Sequence, residues 1–211
     1  RPLGDSYGAY FGIQAWDRKK HVAEKKLNKS YQPVVDGADI ESFGLRSQSL
    51  FVLFTPEGVK SGGNETIHQQ DRICIRQVGH YPIATVVPGG LFAMNSLYNA
   101  YKRDSNAADL YFVLGVMNSH LNRYFWGKVH SDQKKTFPKI KKEAILSIPI
   151  KVPKTKSEEE SKARITELTK SLVLFKNDQY AKHGRLKDRM AEDKAAHLEQ
   201  RINDAVFELY G

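Results

Sequence analysis

Short apolar runs separated by turns dominate the first 150 residues of the chain. Runs of this length, rich in Val, Ile and aromatic residues and bounded by Gly, Pro or Asn, predict strands. We expect strands within residues 32–40, 49–54, 72–78, 81–87, 91–101 and 144–152. The stretch 108–126 differs because its apolar residues recur at helical spacing, which predicts one helix inside the β-rich region. Its expected apolar face consists of Leu110, Val113, Leu114, Met117, Leu121 and Tyr124.

The hydrophobic pattern changes after residue 153. No proline follows that position, and the only later glycines are Gly184 and Gly211. Ser157 and Glu160 have the spacing of a capping box. Apolar residues then recur at helical spacing on both sides of Gly184, which predicts an antiparallel helical hairpin. The two stripes are Ile165, Leu168, Leu172 and Phe175, then Leu186, Met190, Leu198, Ile202, Ala205 and Leu209.

These patterns together predict an α+β fold with two parts. Residues 1–153 form a mixed, β-rich domain with an inner helix, and residues 154–211 form the C-terminal hairpin. Each hairpin helix has a single apolar face, so the hairpin must pack on the first domain or contact another subunit.

The charge of the chain is concentrated in the first part. The net charge is +9, and 20 of the 33 Lys and Arg but only 13 of the 24 Asp and Glu precede residue 151. A basic surplus on one domain is typical of proteins that bind polyanions, although a basic solvated surface gives the same count. A single cysteine, Cys74, excludes an internal disulfide and fits a reducing cytoplasm. No apolar run approaches the ~20 residues that span a bilayer, and because the chain begins at Arg1 we expect a piece of a longer protein.

Motifs for catalysis are absent from the sequence. It has neither the glycine-rich cofactor turn nor the Asn/Asp-Pro-Pro-aromatic loop of an amino-methyltransferase, and no phosphate-binding loop. One cysteine and scattered histidines exclude a zinc site. Asp132 with Lys134, or Glu24 with Lys26, supplies only half of a metal-dependent nuclease site, because an upstream acidic residue on a strand is missing. We therefore expect no catalytic residue and no metal ligand in this chain.

Seven stretches of the chain carry a family resemblance: GAYFGIQAWDRKKH (8–21), YQPVVDGADIESFGL (31–45), ICIRQVGHYPIAT (73–85), NSLYN (95–99), LYFVLGVMNSHLNRYFW (110–126), AILSIPI (144–150) and QRINDAVFELYG (200–211). In this order they resemble the target recognition domains of DNA N6-adenine methyltransferases, that is, the TaqI-like C-terminal specificity domain. The final stretch is similar to the end of fused type II restriction-modification enzymes. The chain departs from the family pattern at Ala38, where a basic residue is frequent, and at Asn203, Asp204 and Phe207.

The resemblance implies a module that reads duplex DNA for a restriction-modification or phage-defence methyltransferase, with a fold related to the DNA-binding subunits of type I systems. It implies a methyltransferase domain or subunit upstream, outside this chain, that binds S-adenosylmethionine and flips the target adenine. Some parents of this kind also cleave DNA. The expected partners are therefore duplex DNA and the methyltransferase part, with no membrane and no small-molecule substrate.

Polar and basic side chains on the expected loops and strand ends are the candidate DNA contacts. Arginine pairs bidentately with guanine and Asn or Gln with adenine, whereas flexible lysines suit phosphates. Arg76 and Gln77, together with Asn95 and Asn99, can equally satisfy buried backbone groups, and both interpretations stay open. The candidates are Arg18, Lys19, Lys20, His21, Arg46, Gln48, Lys60, Asn64, Arg76, Gln77, Lys134, Lys135, Lys139, Lys141 and Lys142.

A different function also fits the pattern. In this alternative the chain is a protein-interaction module of a multi-subunit complex, which binds its partner through the helical hairpin, and the basic surface is incidental. RNA binding lacks the aromatic-rich sheet motif that would support it.

Overall fold

The computed structural model describes residues 1–46, 48, 50–130 and 138–211. Four of its strands form an antiparallel sheet, the first sheet, in the order β1-β12-β9-β10. These strands are β1 (Tyr7–Phe11), β9 (Arg72–Arg76), β10 (Ala84–Val87) and β12 (Leu97–Lys102). Ile73 and Ile75 of β9 face the helices, while Cys74 between them faces the other side, where a smaller core cluster lies.

A second four-stranded sheet has the order β11-β4-β7-β3, in which only the β11–β4 pair is parallel. Two short ribbons, β2–β8 and β5–β6, complete the strand set of the described residues. The second sheet contains β3 (Val22–Ala23), β4 (Tyr31–Val35), β7 (Leu50–Leu53) and β11 (Phe92–Ala93). The ribbons are β2 (Gln14–Ala15) with β8 (Val59–Ser61), and β5 (Ile40–Glu41) with β6 (Gly44–Leu45).

The short helices are α1 (Arg18–His21), α2 (Glu65–His68) and α5 (Lys142–Leu146), and the longer ones are α3 (Leu110–Asn118), α4 (His120–Val129), α6 (Lys156–His183) and α7 (Arg189–Tyr210). Helices α3 to α7 contribute to the core cluster on one face of the first sheet, whereas α1 and α2 do not. Two 3₁₀ turns, Leu3–Asp5 and Gly37–Asp39, lie before β1 and β5. None of the helices in these described ranges is long and apolar enough to cross a membrane.

The α+β class and the C-terminal hairpin are confirmed. Each range predicted before residue 103 contains a strand, but the range 32–40 is interrupted by the 3₁₀ turn Gly37–Asp39. Five strands, β1, β2, β3, β6 and β8, lie outside the predicted ranges. The strand predicted at 144–152 is wrong: its first residues belong to α5, and Pro149 makes only an isolated bridge with Pro2. The bonds of this bridge come from the neighbouring residues: the N–H of Leu3 donates to the carbonyl oxygen of Ile148 at 2.8 Å, and the N–H of Ile150 donates to that of Arg1 at 2.7 Å. The capping box is also displaced by two residues, because Thr155 and Glu158 form it.

The predicted inner helix is two helices, because the chain breaks at Ser119. Its backbone is extended, its hydroxyl donates to the carbonyl oxygen of Val116 at 2.7 Å, and it accepts from the N–H of Asn122 at 3.1 Å. Asn203 of α7 accepts from the N–H of His120 at 2.8 Å, so a distant helix stabilises the new N-terminus. Local capping bonds of this kind compete with helix continuation. Tyr124 consequently points outward and is 67% exposed, contrary to prediction.

The hairpin packs on the rest of the chain. Gly184 closes α6 with φ of 68°, the left-handed conformation that glycine adopts without strain. The stripe residues Ile165, Leu172 and Ile202 are buried in the same core cluster as Ile73 of the first sheet. Met190, predicted on the stripe, is instead 81% exposed. The division of the chain at residue 153 stays a proposal about its organisation.

The contact between α3 and α6 is closest at Gly115. A Cβ atom at this position would lie 2.6 Å from Oγ1 of Thr169 and 2.7 Å from a methyl carbon of Ile165. We therefore expect Gly115→Ala to lower the free energy of unfolding by roughly 1–3 kcal/mol, the cost of overpacking a core.

Gly127 in α4 is the matched control, because a Cβ there meets nothing within 4 Å. Gly127→Ala should raise the free energy of unfolding by roughly 0.5–1 kcal/mol through the helix preference of alanine. Urea unfolding of both variants measures the difference. Equal midpoints for the two variants would contradict the close approach of α3 and α6.

Candidate nucleic-acid interface

The first four candidates along the chain, Arg18, Lys19, Lys20 and His21, form α1. Asp17 caps this helix by accepting from the N–H groups of Lys19 at 2.9 Å and Lys20 at 3.4 Å. Lys19 and Lys20 are exposed, and the ring of His21 accepts from the N–H of Asp17 at 3.4 Å. The side chains of Lys19 and Lys20 are therefore accessible to solvent, while His21 stabilises the turn that begins at Asp17.

Arg18 is held by a carboxylate. Its guanidinium donates to Oδ2 of Asp36 at 2.5 Å, yet its side chain stays 52% exposed. Asp36 also accepts from the Ser96 hydroxyl and from the N–H of Gly37. Burial alone would raise the pKa of Asp36, but these hydrogen bonds and the Arg18 charge outweigh it and hold the pKa below its usual range. Asp36 is thus an ionised anchor that fixes the position of Arg18.

Lys60 lies on β8, opposite β2, and its Nζ is 5.4 Å from the ring centroid of Trp16. Trp16 is 59% exposed and was not among the sequence-based candidates. The feature of the sequence that could have identified Trp16 is a large aromatic residue close to the basic residues of a predicted loop. Asn64 caps α2 by accepting from the N–H of Ile67 at 3.4 Å.

The segment 138–142 runs beside the end of β9. The N–H of Ile140 donates to the carbonyl oxygen of Gln77 at 2.9 Å, and the Gln77 side chain donates to the carbonyl oxygen of Leu97 at 3.1 Å. Lys139 and Lys141 are exposed, and Nζ of Lys142 lies 5.6 Å from the ring centroid of Phe11. Lys134 and Lys135 lie outside the described residues.

Arg76 ends β9 and is half-buried, and its Nε atom has no hydrogen-bond partner among the described residues. Asn99, the other polar residue of this region, is fully buried and accepts from Arg72 at 2.7 Å. The structural interpretation therefore holds for Asn99, whereas Asn95 is exposed.

Arg46 and Gln48 face other parts of the chain. Arg46 pairs with Glu41, which also accepts from the hydroxyl of Tyr180 in α6. Burial would raise the pKa of Glu41, but these two hydrogen bonds and the Arg46 charge lower it below the usual range. The amide of Gln48 donates to the carbonyl oxygen of Leu50 at 2.5 Å. Arg46 thus contributes to the contact between the β5–β6 ribbon and the hairpin.

Hydrogen bonds connect several of these loops to one another. Arg18 connects to Ser96 through Asp36, the N–H of Gln77 donates to the carbonyl oxygen of Ser96 at 2.9 Å, and Gln77 in turn contacts Ile140. We call the cations along these loops the basic strip, which comprises Arg18, Lys19, Lys20, Lys60, Lys139, Lys141 and Lys142. No three or more His, Cys, Asp or Glu side chains gather into a possible metal site in the described part of the chain.

A buried arginine supports this surface from below. Arg72 is fully buried, and in the described residues no carboxylate pairs with it. Its guanidinium donates to the carbonyl oxygen of Leu91 at 2.6 Å, to Oδ1 of Asn99 at 2.7 Å, and to the carbonyl oxygens of His68, Gln70 and Pro88 at 3.3 Å each. These bonds tie β9 and β12 to the turns that lead into the second sheet.

His68 extends the Arg72 cluster. Its ring stacks on Phe92 of the second sheet with centroids 4.7 Å apart, and its Nε2 lies 2.9 Å from the carbonyl oxygen of Gly62. Burial, reinforced by the nearby Arg72 charge, lowers the pKa of His68 to about 4. The ring is therefore neutral at physiological pH, with Nε2–H as donor to Gly62 and Nδ1 as acceptor for Arg72 at 3.4 Å.

A family model described as the TaqI-like C-terminal specificity domain matches residues 32–150, and the chain belongs to this family. The resemblance seen in the sequence is confirmed.

Solved structures share the fold. One is the Type IIL restriction-modification enzyme MmeI, solved in complex with DNA, with a TM-score of 0.68 and 11% identity. The match covers 100% of this chain and 33% of that chain. A chain of a type I restriction-modification system matches with a TM-score of 0.53 and 14% identity, over 99% of this chain and 44% of that one. A search of curated proteins found no match. The chain thus spans less than half of these structures' own length, and at such identities the likeness concerns the fold.

The Arg72 cluster generates a stability prediction. Arg72→Lys keeps the charge but loses the planar fork, so several of the carbonyl and amide acceptors around it lose their donor. We expect a loss of roughly 1–3 kcal/mol in the free energy of unfolding for each acceptor left unsatisfied. Urea unfolding measures this loss.

Arg201→Lys is the control, because Arg201 is exposed on α7 and exposed substitutions change stability by only about 0.5 kcal/mol or less. If Arg72→Lys unfolds at the same urea concentration as this control, the buried cluster does not hold the two sheets together.

Proposed function

We propose that this chain recognises a duplex DNA target on behalf of a catalytic part that lies outside it. The observation that carries the proposal is the match of the specificity-domain family over residues 32–150. That range contains four members of the basic strip, Lys60, Lys139, Lys141 and Lys142. The surplus of basic residues before residue 151 supplies the charge that a phosphate backbone attracts.

In this proposal the lysines of the strip contact phosphates. Lys139 and Lys141 are exposed and carry flexible point charges, which suit contacts that position the duplex without reading its sequence. We extend the same role to Lys19, Lys20 and Lys60, and to Lys134 and Lys135 from their sequence alone.

The arginines are the proposed base readers. Asp36 takes one edge of the Arg18 guanidinium and leaves the half-exposed remainder for a bidentate contact with guanine. Arg76 offers a half-buried guanidinium, although its Nε is enclosed by the protein and only the rest of the group is open to a base. Arg46 would have to give up its ion pair with Glu41 to contact DNA. The remaining candidates form hydrogen bonds with backbone groups and so hold the loops beside the duplex; they are His21, Gln48, Asn64 and Gln77.

We further propose that the catalytic part is a methyltransferase domain or subunit that acts on adenine in the cytoplasm. It would bind S-adenosylmethionine, and the adenine would have to leave the duplex to reach it. The specificity domain would hold the bases on either side of that adenine in place.

Removing charge from the basic strip tests the proposal. The triple variant Lys139→Gln, Lys141→Gln, Lys142→Gln should bind a labelled duplex more weakly than the unchanged chain. The slope of log K against log salt should flatten by about 0.9 for each phosphate that the variant no longer neutralises. Fluorescence anisotropy over a salt series measures both quantities.

A control removes the same charge from the hairpin, at the exposed residues Lys170, Arg185 and Lys187. Each is changed to Gln, and the salt slope should stay that of the unchanged chain. If both triple variants bind DNA equally weakly, binding follows net charge alone and the strip is not the interface. If the unchanged chain binds no duplex even at low salt, the proposed function is wrong.

A further inference from the structure

Trp16 is presented to solvent by a rigid arrangement. It follows a register shift in the β2–β8 ribbon between Gln14 and Ala15, a bulge of the kind that redirects side chains. The backbone N–H of Trp16 donates to the carbonyl oxygen of Gly58 at 3.1 Å, and its indole N–H donates to the carbonyl oxygen of Pro56 at 3.2 Å. Two hydrogen bonds therefore fix the orientation of a ring that is 59% exposed.

The ribbon is anchored to the buried core. Gly62 follows β8 with φ of 75°, and a Cβ there would lie 2.1 Å from the carbonyl oxygen of Gly12. Only glycine permits this contact between the two strand segments. The carbonyl oxygen of Gly62 is also the partner of His68, which belongs to the Arg72 cluster. The position of Trp16 is thus set by the interior of the protein and not by a mobile loop.

Cations and apolar groups surround Trp16, and the carboxylate of Asp17, the next residue, caps α1 and pairs with Lys20. Lys60 stands over the ring, and Lys19 and Lys20 follow it within four positions of sequence. A cleft of about 290 Å³ lined by Phe54, Thr55, Pro56, Val59 and Gly63 adjoins the Pro56 carbonyl that holds the indole. An aromatic ring with an ammonium beside it matches the alternation of deoxyribose and phosphate along a DNA strand.

We infer that Trp16 and Lys60 together contact the backbone of the duplex, with the indole packed on a deoxyribose and the ammonium on the adjoining phosphate. This inference rests on the proposed function. Because the indole N–H is already used by Pro56, the ring has no donor left to read a base edge. The contact therefore positions DNA of any sequence, and Trp16 is a positioning residue and not a base reader.

Tryptophan fluorescence tests the contact directly, because the chain has only two tryptophans. Trp126 is buried, with 4% of its surface exposed. In the variant Trp126→Phe, Trp16 is the only remaining tryptophan, so the tryptophan emission comes from Trp16. Adding an unlabelled duplex of mixed sequence should quench that emission and protect it from acrylamide. If Trp126→Phe does not fold, the difference between the unchanged chain and Trp16→Phe reports the same signal.

Binding measurements separate the two side chains. Trp16→Ala should weaken binding of different duplexes by the same factor, about tenfold for the loss of one aromatic ring that becomes buried on binding, and leave the salt slope unchanged. Lys60→Gln should flatten the slope by about 0.9. Tyr124→Ala is the matched control, because Tyr124 is an exposed aromatic residue with Lys128 5.5 Å from its ring, on α4.

The outcomes distinguish this inference from the proposed function. If a labelled duplex binds but the Trp16 emission and its acrylamide quenching do not change, the inferred contact of Trp16 with DNA is wrong, while the proposed function stands. The inferred contact is equally wrong if Trp16→Ala and Tyr124→Ala weaken DNA binding to the same extent. If the duplex does not bind the unchanged chain at low salt, both ideas fall together.

Discussion

A buried guanidinium without a buried carboxylate organises the described part of this protein. Arg72 lies on β9, an inner strand of the first sheet. Its side chain donates hydrogen bonds to acceptors on β12, on the α2 turn and on the turn before β11. Its neighbour His68 stacks on Phe92 of the second sheet. Burying a charge is costly unless its donors are used. An arginine carries five N–H donors in a fixed fork, and here they meet several fixed carbonyls, so the two sheets and their turns must keep a single relative arrangement. Asp71, next to Arg72, adds a bond to the N–H of Gly89 at 2.9 Å in the same turn.

The surface proposed to bind DNA is held in position by contacts with this interior. The β2–β8 ribbon connects to the cluster through Gly62 and His68, and the anchored pair of Arg18 and Asp36 connects to the first sheet through Ser96. The hairpin acts from the opposite direction: Lys176 of α6 donates to the carbonyl oxygen of Ser42 and to Glu199, and Asn177 accepts from the N–H of Leu45. Loops that carry function on a rigid support lose little entropy on binding. The hairpin therefore stabilises the β5–β6 ribbon, whether or not it also contacts another subunit.

Much of this architecture could be predicted from local pattern. Runs of β-branched residues marked most strands, Gly184 marked the hairpin turn, and the ordered stretches of the family marked the class. The failures share a physical cause. A helix ends at Ser119 because Asn203, far along the chain on α7, stabilises the new N-terminus. The strand predicted at 144–152 is wrong because its first residues form α5, and only residues 148–150 pair, with residues 1–3 at the start of the chain. Nothing in the neighbours of Arg72 shows that a charged residue enters the core, and nothing near Trp16 shows that its N–H is used internally. Such contacts depend on the complete fold.

Backbone hydrogen exchange with and without duplex DNA tests the central claim most directly, because it maps the interface without altering a residue. The account predicts slower exchange on DNA addition at residues 16–20, 58–61 and 139–142, where the basic strip and Trp16 lie. The amides of α6 and α7 should exchange at the same rate in both states. Protection confined to these two helices, with no change along the strip, would contradict the account and favour a module whose working surface is the hairpin.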